Sequence, residues 1–221
     1  MRPSLVLILL MVLAALVLAA APLIGMQEIP LRTLWRGNDE MAARILWQIR
    51  LPRVAMAFLA GSALAISGMA FQAMFRNPLA TPFTLGVASG ASLGASVYIH
   101  LGLGFSLLGI AGSSWFAFAG ALAAILLVYG LTRTGQGVST AAMLLAGVAV
   151  SFFFSSLILF LQYLSDFTRT YRMLRWVMGG LDNVVGSDEV LSALPIVILG
   201  GFIVVYLTHE LNLISTGEEL A

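Results

Sequence analysis

The sequence contains no cysteine and no lysine among its 221 residues. The absence of cysteine excludes disulfide bonds, thiolate metal sites and cysteine nucleophiles. All eleven positive charges are arginines, which excludes a P-loop because that motif needs a lysine to reach the nucleotide phosphates. If the protein uses ATP, another chain must therefore bind the nucleotide.

Charged side chains of either sign are scarce, at 10% of the residues, whereas soluble domains carry about 25%. Hydrophobic residues make up 60% of the chain and the mean hydropathy is +1.01. The composition therefore predicts an integral membrane protein surrounded by lipid. The net charge of +1 supplies no basic field for nucleic acid, which we exclude as a partner.

Long uncharged stretches predict the spans, since a helix needs about 20 mostly apolar residues to cross the hydrocarbon layer. The longest stretch, 77–132, exceeds one span, and its glycine- and serine-rich part at 101–114 predicts a turn that divides it. We predict an all-α polytopic transmembrane helix bundle forming a single domain over 1–221. Its six spans are predicted near 4–25, 54–75, 83–101, 114–132, 139–164 and 190–208.

The first span has an alternative interpretation as a cleaved signal peptide. Arg2 would supply the charged start of such a peptide, and the three alanines at 19–21 would supply the cleavage site. The uncharged length of this stretch exceeds the 7–15 residues of an ordinary signal-peptide core. We therefore expect a retained span.

The arginines are distributed unequally between the two faces of a six-span bundle. Arg2, Arg76 and Arg133 fall on one face, and the other eight fall on the opposite face, in the loops at 27–53 and 166–189. By the positive-inside rule the face with eight arginines should be cytoplasmic, with both termini outside. Taken alone, the charge count thus predicts an external N-terminus.

Small residues repeat along three of the predicted spans at the spacing of one helix face. In membranes such faces let backbones approach closely. The predicted packing glycines are Gly61, Gly68, Gly86, Gly90 and Gly94. The third set, Gly147, Ser151 and Ser155, could either pack or line a polar pathway.

Two further patterns bear on the class of function. The predicted spans contain no Asp, Glu, Lys or Arg, which argues against ion-coupled transporters and proton pumps. "GASLG" at 90–94 matches the G-x-S-x-G pattern of serine nucleophiles. The only two histidines, His100 and His209, lie about 12 and 14 Å from Ser92 along the helix axes. We therefore predict no catalytic residue and no enzyme activity in this chain.

Read in order, "RLPRVAMAFLAGSALAISGMAFQAMFRNPLATPFTLGVASGASLG" (50–94) resembles the FecCD family of membrane-spanning permeases. The resemblance continues in "STAAMLLAGVAVS" (139–151), "LRWVMGGL" (174–181) and "LNLISTGEELA" (211–221). These permeases serve bacterial ABC importers for iron-siderophore complexes, haem and cobalamin. The resemblance implies the N-terminal part of a bundle of about ten spans, each of about 20 residues. Because the chain stops after six, we expect either a fragment or a truncated gene product.

The family implies a set of partners and a location. Expected partners are a second permease subunit, identical or different, a cytoplasmic ABC ATPase and an extracytoplasmic substrate-binding protein. No cofactor or metal site is expected. The location implied is the cytoplasmic membrane with a cytoplasmic N-terminus, which reverses the topology from the charge count. An ATP-independent channel or secondary carrier remains the alternative function.

The resemblance also implies roles for particular residues. Arg50 and Arg53 of the R-L-P-R motif would dock the binding protein through its carboxylates, which suit the guanidinium fork; the alternative is that they snorkel to lipid headgroups. The residues that match the cytoplasmic gate region are Asn77, Pro78, Leu79, Thr81, Pro82, Ser139 and Thr140. Residues 209–221 match the start of the ATPase-coupling loop, with Ser215, Gly217, Glu218 and Glu219 as the coupling residues. The arginines Arg169, Arg172 and Arg175 form either a second docking stripe or a solvated helix face.

Overall fold

The computed structural model of the protein describes residues 3–25, 40–134, 137–181 and 184–216. In chain order the helices are α1 (Pro3–Ala20), α2 (Glu40–Ile45), α3 (Leu51–Phe75), α4 (Val87–His100), α5 (Gly112–Thr132), α6 (Thr140–Leu164), α7 (Phe167–Met178), α8 (Asp188–Tyr206) and α9 (Thr208–Thr216). Short 3-10 turns follow α1 at Ala21–Leu23 and precede α4 at Pro82–Leu85. A π-helical turn, Leu46–Arg50, joins α2 to α3.

Five helical stretches within the described ranges are long and apolar enough to cross a membrane. They are Ser4–Leu23, Met41–Phe75, Gly112–Thr132, Thr140–Leu164 and Asp188–Tyr206. The predicted all-α membrane bundle is confirmed. Two short antiparallel hairpins connect helices. Strands β1 (Ser106–Leu107) and β2 (Ile110–Ala111) lie between α4 and α5, and β3 (Arg133–Thr134) and β4 (Gly137–Val138) lie between α5 and α6.

The chain divides into two compact units, Met1–Ala63 with Leu181–Ile198 and Leu64–Gly180 with Leu199–Ala221. In the first unit, Ala42 and Leu46 form a small buried cluster with Ile45 packed against it. The side chains of α1 are almost all exposed and apolar. A helix with this surface is stable only where lipid or another apolar chain covers it.

The core of the second unit lies where α4 packs against α5 and α6. The buried side chains of this core are Phe75, Ala80, Leu85, Ala124, Val128, Val150 and Phe154. On α4 and α5 the backbones themselves meet, because a Cβ atom added to Gly94 would overlap the carbonyl of Phe116, and one added to Gly90 would overlap that of Gly120. Lipid provides no hydrophobic drive for helix association, so such close van der Waals contact is what holds these helices together.

The helix at the third predicted span differs from the prediction of 83–101. It begins at Val87 and has 14 residues, a rise of about 21 Å, which is short of the roughly 30 Å hydrocarbon layer. The first part of the predicted span is taken by the 3-10 turn, and Gly86 separates the two elements with φ +77°. Gly86 therefore lies before the helix, where its left-handed backbone favours glycine, and not on the helix face.

The glycine contact between α4 and α5 generates a stability prediction. We expect Gly120→Leu to lower the free energy of unfolding by about 1–3 kcal/mol, because the new side chain would meet the Gly90 carbonyl. Gly130→Leu on the same helix is the matched control, since nothing lies within 4 Å of its Cβ position. Unfolding in detergent micelles measures both variants. Equal stability of the two would contradict the packing role of Gly120.

Candidate docking and gate regions

The R-L-P-R segment begins at a break in the helix ladder. Pro52 has no N–H and cannot donate to the carbonyl oxygen of Gln48 four residues earlier. The chain widens there into the π turn, in which the N–H of Leu51 bonds to the carbonyl of Leu46. The Gln48 carbonyl accepts a hydrogen bond of 2.6 Å from the N–H of Gly186. Because Pro52 cannot bond to the Gln48 carbonyl, that carbonyl can accept from Gly186 and so bind the 184–187 segment next to the two arginines.

Arg50 lies across the end of α1. Its Nη1 donates to the carbonyl oxygens of Pro22 at 3.2 Å and Leu23 at 3.3 Å. These carbonyls follow the last turn of α1, where the helix dipole favours a cation. Gly25 leaves room for the guanidinium, because a Cβ atom there would lie 2.6 Å from Arg50 Nη2.

Arg53 binds a different part of the chain. Its Nε donates to the carbonyl oxygen of Val184 at 3.3 Å. These hydrogen bonds to backbone carbonyls orient both guanidinium groups. Arg50 and Arg53 line a cleft of about 430 Å³ whose other walls are mainly apolar. The exposed Arg44 lines a neighbouring cleft of about 320 Å³.

The turn between α3 and α4 is ordered by local hydrogen bonds. Arg76 has φ +47° and sits one residue past α3. Its N–H bonds to the carbonyl of Ala73, and the N–H of Asn77 bonds to that of Gln72. This pair of bonds is a Schellman C-cap, in which glycine is the usual left-handed residue. An arginine therefore holds a backbone position that favours glycine.

The other predicted gate residues of this turn are also held by local hydrogen bonds or by the 3-10 turn. Asn77 Oδ1 accepts from the N–H of Leu79 at 2.9 Å. Thr84 Oγ1 donates to the carbonyl of Thr81 at 2.6 Å and accepts from its N–H at 3.2 Å, and Pro82 opens the 3-10 turn. Leu79 is 79% exposed, so its side chain projects from an otherwise fixed turn.

Helix α6 contributes the other predicted gate and pathway residues. Gly147 is buried against the backbone of Thr84 and Leu85. Ser151 and Ser155 each donate to the carbonyl four residues earlier, at 2.8 Å. Their hydroxyl protons are used within the helix, and each oxygen can still accept. The stripe thus combines a packing glycine with one half-buried and one exposed serine.

Ser139 and Thr140 lie at the start of α6 and are exposed. Ser139 is the N-cap, and its side chain makes no capping hydrogen bond. Within the described part of the chain, no hydrogen bond joins either residue to the turn at 76–86. The structure therefore brings the 76–82 gate residues together but leaves Ser139 and Thr140 apart from them.

The turn at 76–86, called the gate turn below after the role predicted for it, is also bonded to the segment predicted to contact the ATPase. Arg76 Nε donates to the carbonyl oxygen of Ile214, in the last turn of α9. Ser215 belongs to the same turn of α9, although its side chain lies outside the described atoms. The other coupling residues, Gly217, Glu218 and Glu219, also fall outside the described residues.

A polar cluster that the sequence reasoning missed joins α4 to α7. The side chain of Arg169 donates to the carbonyl of His100 at 2.8 Å and pairs with Asp166 at 3.2 Å. His100 Nδ1 lies 2.7 Å from Ser165 Oγ. The same hydroxyl lies 2.7 Å from the Leu161 carbonyl.

This cluster separates three arginines that the sequence grouped together. Arg169 is turned toward the end of α4 and is half-buried, whereas Arg172 and Arg175 are exposed. The described partner of His100 is Ser165 and not Ser92. The serine of the G-x-S-x-G match is therefore not paired with this histidine. The signal for this corner in the sequence is Asp166, an N-cap residue that precedes an amphipathic stretch.

The closely packed helices and ordered turns define a polytopic permease-type membrane bundle. Over 97% of its length the chain matches, with a TM-score of 0.78 and 27% identity, a solved structure described as an inward-facing conformation of a metal-chelate type ABC transporter; the match covers 65% of that chain. A sequence model of the FecCD transport family matches residues 6–221. The chain belongs to this family of transport permease subunits.

Named relatives transport several related compounds. The hemin transport system permease protein of Yersinia pestis is 34% identical over 225 residues, which cover 100% of this chain and 66% of the relative. The cobalamin import system permease protein of Halobacterium salinarum is 38% identical over 83% of this chain and 48% of its own. The achromobactin transport system permease protein of Dickeya dadantii is 42% identical over 68% and 42%. The chain spans between about two fifths and two thirds of the lengths of these relatives.

Proposed function

We propose that the protein is a transmembrane subunit of an ABC importer that moves a metal chelate across the cytoplasmic membrane. The match to the FecCD transport family over residues 6–221 carries this proposal. Ferric siderophore and haem are the leading substrate classes, followed by cobalamin, because relatives are named for all three. The absence of lysine means that a partner chain must supply the P-loop and hydrolyse ATP.

The geometry supports alternating access as the mechanism. Helices α4 and α5 meet through glycine backbones, and Gly147 of α6 packs on the backbone of the 3-10 turn, so these elements transmit displacement as one body. The gate turn at 76–86 is bonded internally and to α9, which the family resemblance places at the ATPase contact. Movement of α9 by the ATPases would therefore be passed to the turn and change the width of the cytoplasmic opening.

A second permease subunit would cover surfaces that this chain leaves open. Nothing lies within 4 Å of a Cβ position at Gly61 or Gly68, although both lie on the predicted small-residue face of α3. We propose that this face packs against a helix outside the described chain. It would do so by the close backbone approach that small residues permit in membranes.

Transport is tested by reconstituting the gene product in lipid vesicles with the P-loop ATPase and binding protein encoded beside it. Hemin, a ferric siderophore and cyanocobalamin are the three probes. We expect ATP-dependent accumulation of a probe, and its loss when the P-loop lysine of the ATPase is replaced. Passage that does not require ATP would support the channel or carrier alternative, and no passage of any probe would contradict the metal-chelate assignment.

We also propose that Arg50 and Arg53 dock the binding protein. The support is their position in one cleft at the N-terminal end of α3, where hydrogen bonds to backbone carbonyls orient the guanidinium groups. A carboxylate presented to this cleft would meet two fixed cations, and bidentate pairing suits arginine. Snorkelling to lipid phosphate remains the competing role for the same two side chains.

Charge-neutral variants separate the two roles. In Arg50→Gln with Arg53→Gln, both side chains remain polar N–H donors, but they are shorter and the positive charges are lost. We expect binding of the binding protein to weaken about tenfold or more and to lose most of its salt dependence. Arg133→Gln, on the opposite face of the predicted topology, is the control. Unchanged, salt-dependent binding in the double variant would leave only the lipid role.

A further inference from the structure

The left-handed position of Arg76 has no local explanation. The Schellman C-cap of α3 needs a residue with positive φ, and glycine or asparagine would adopt it at less cost than arginine. Arg76 occupies it with φ +47°. The backbone therefore favours a different residue at this site, and the reason for the arginine must lie in its side chain.

The side chain of Arg76 reaches the C-terminal end of α9. The carbonyls of the last four residues of a helix have no intrahelical donor. Ile214 lies in that last turn of α9, and its carbonyl accepts from Arg76 Nε. The guanidinium also brings positive charge to the negative end of the helix dipole. The contact joins positions 138 residues apart in the chain.

We propose that Arg76 is a positioning residue that fastens the C-terminal turn of α9 to the turn at 76–86, so that the two segments move together. The hydrogen bonds of Asn77 and Thr84 hold the rest of the turn in place. The idea that this bond links the gate to the ATPase contact rests on the proposed function. The fastening itself is a property of the chain alone.

Three substitutions distinguish the side chain from the backbone. Arg76→Gly and Arg76→Asn suit the left-handed position and preserve the C-cap, but neither reaches Ile214. Arg76→Lys keeps a long cationic donor in the same strained backbone. If Arg76 served only as a C-cap, the glycine and asparagine variants would be more stable than the native protein. If it fastens α9, the contact with α9 should persist in the lysine variant and be lost in the other two.

The distance between the two segments can be measured in the isolated protein. The chain has no cysteine, so Leu79→Cys and Glu210→Cys introduce unique sites for spin labels at exposed positions. In lipid nanodiscs we expect a narrow label-to-label distance distribution with Arg76 and with Arg76→Lys. The glycine and asparagine variants should broaden it and speed amide exchange in the last turn of α9 about tenfold.

The outcomes decide between the two roles without any partner protein. An unchanged distribution and unchanged exchange in Arg76→Gly and Arg76→Asn would overturn the fastening. So would an Arg76→Lys variant that is as mobile as those two. Because the measurement involves neither ATPase nor substrate, its failure would leave the transport proposal to be decided by uptake, and a failure of uptake would leave the fastening intact.

Discussion

The close approach of α4 to α5 is the contact on which the rest of the second unit depends. The carbonyls of Phe116 and Gly120 occupy the space where side chains at positions 94 and 90 would otherwise lie. Within a membrane no hydrophobic force replaces such contacts. With α4 fixed in this way, Gly147 of α6 can pack on the backbone of the 3-10 turn, and the turn at 76–86 is held at the edge of a rigid core.

The sequence predicts the long helices well and the short ones poorly. The observed α5 and α6 begin within two residues of the predicted spans at 114–132 and 139–164, because uncharged runs define them. The start of α4 could not be placed, since the capping interaction of Thr81 and Thr84 opens a separate 3-10 turn, which ends at Gly86 just before α4. Periodicity alone does not show where a glycine changes from helix packing to a left-handed turn.

The candidate site could be predicted only in part from the sequence, because its contacts join distant parts of the chain. The R-L-P-R motif singles out Arg50 and Arg53, but their carbonyl partners lie 28 and 131 residues away along the chain. The partner of Arg76 is equally distant in sequence. These contacts depend on how helix ends meet in three dimensions, and no local pattern encodes them. The same applies to the bond between Arg169 and His100.

Those bonds also bear on the conflict between the two topologies. Arg50, Arg53 and Arg169 belong to the eight arginines that the charge count assigns to the cytoplasm, yet each is bonded to a backbone carbonyl. Arginines that bind the chain's own carbonyls are a weak guide to the orientation of the protein in the membrane. The importer account places the loops that carry them outside the cell membrane, and it places the gate turn and α9 inside. The proposed docking, gate and coupling roles depend on this orientation, whereas the bond between Arg76 and Ile214 does not.

Labelling of single cysteines from one side of the membrane measures the orientation most directly. Leu79 and Leu108 flank α4 on opposite sides and are 79% and 83% exposed, and the chain has no other cysteine. The account predicts that a membrane-impermeant maleimide modifies Leu108→Cys in intact spheroplasts and Leu79→Cys only after permeabilisation. The reverse pattern would place the arginine cleft in the cytoplasm and contradict the docking, gate and coupling assignments together.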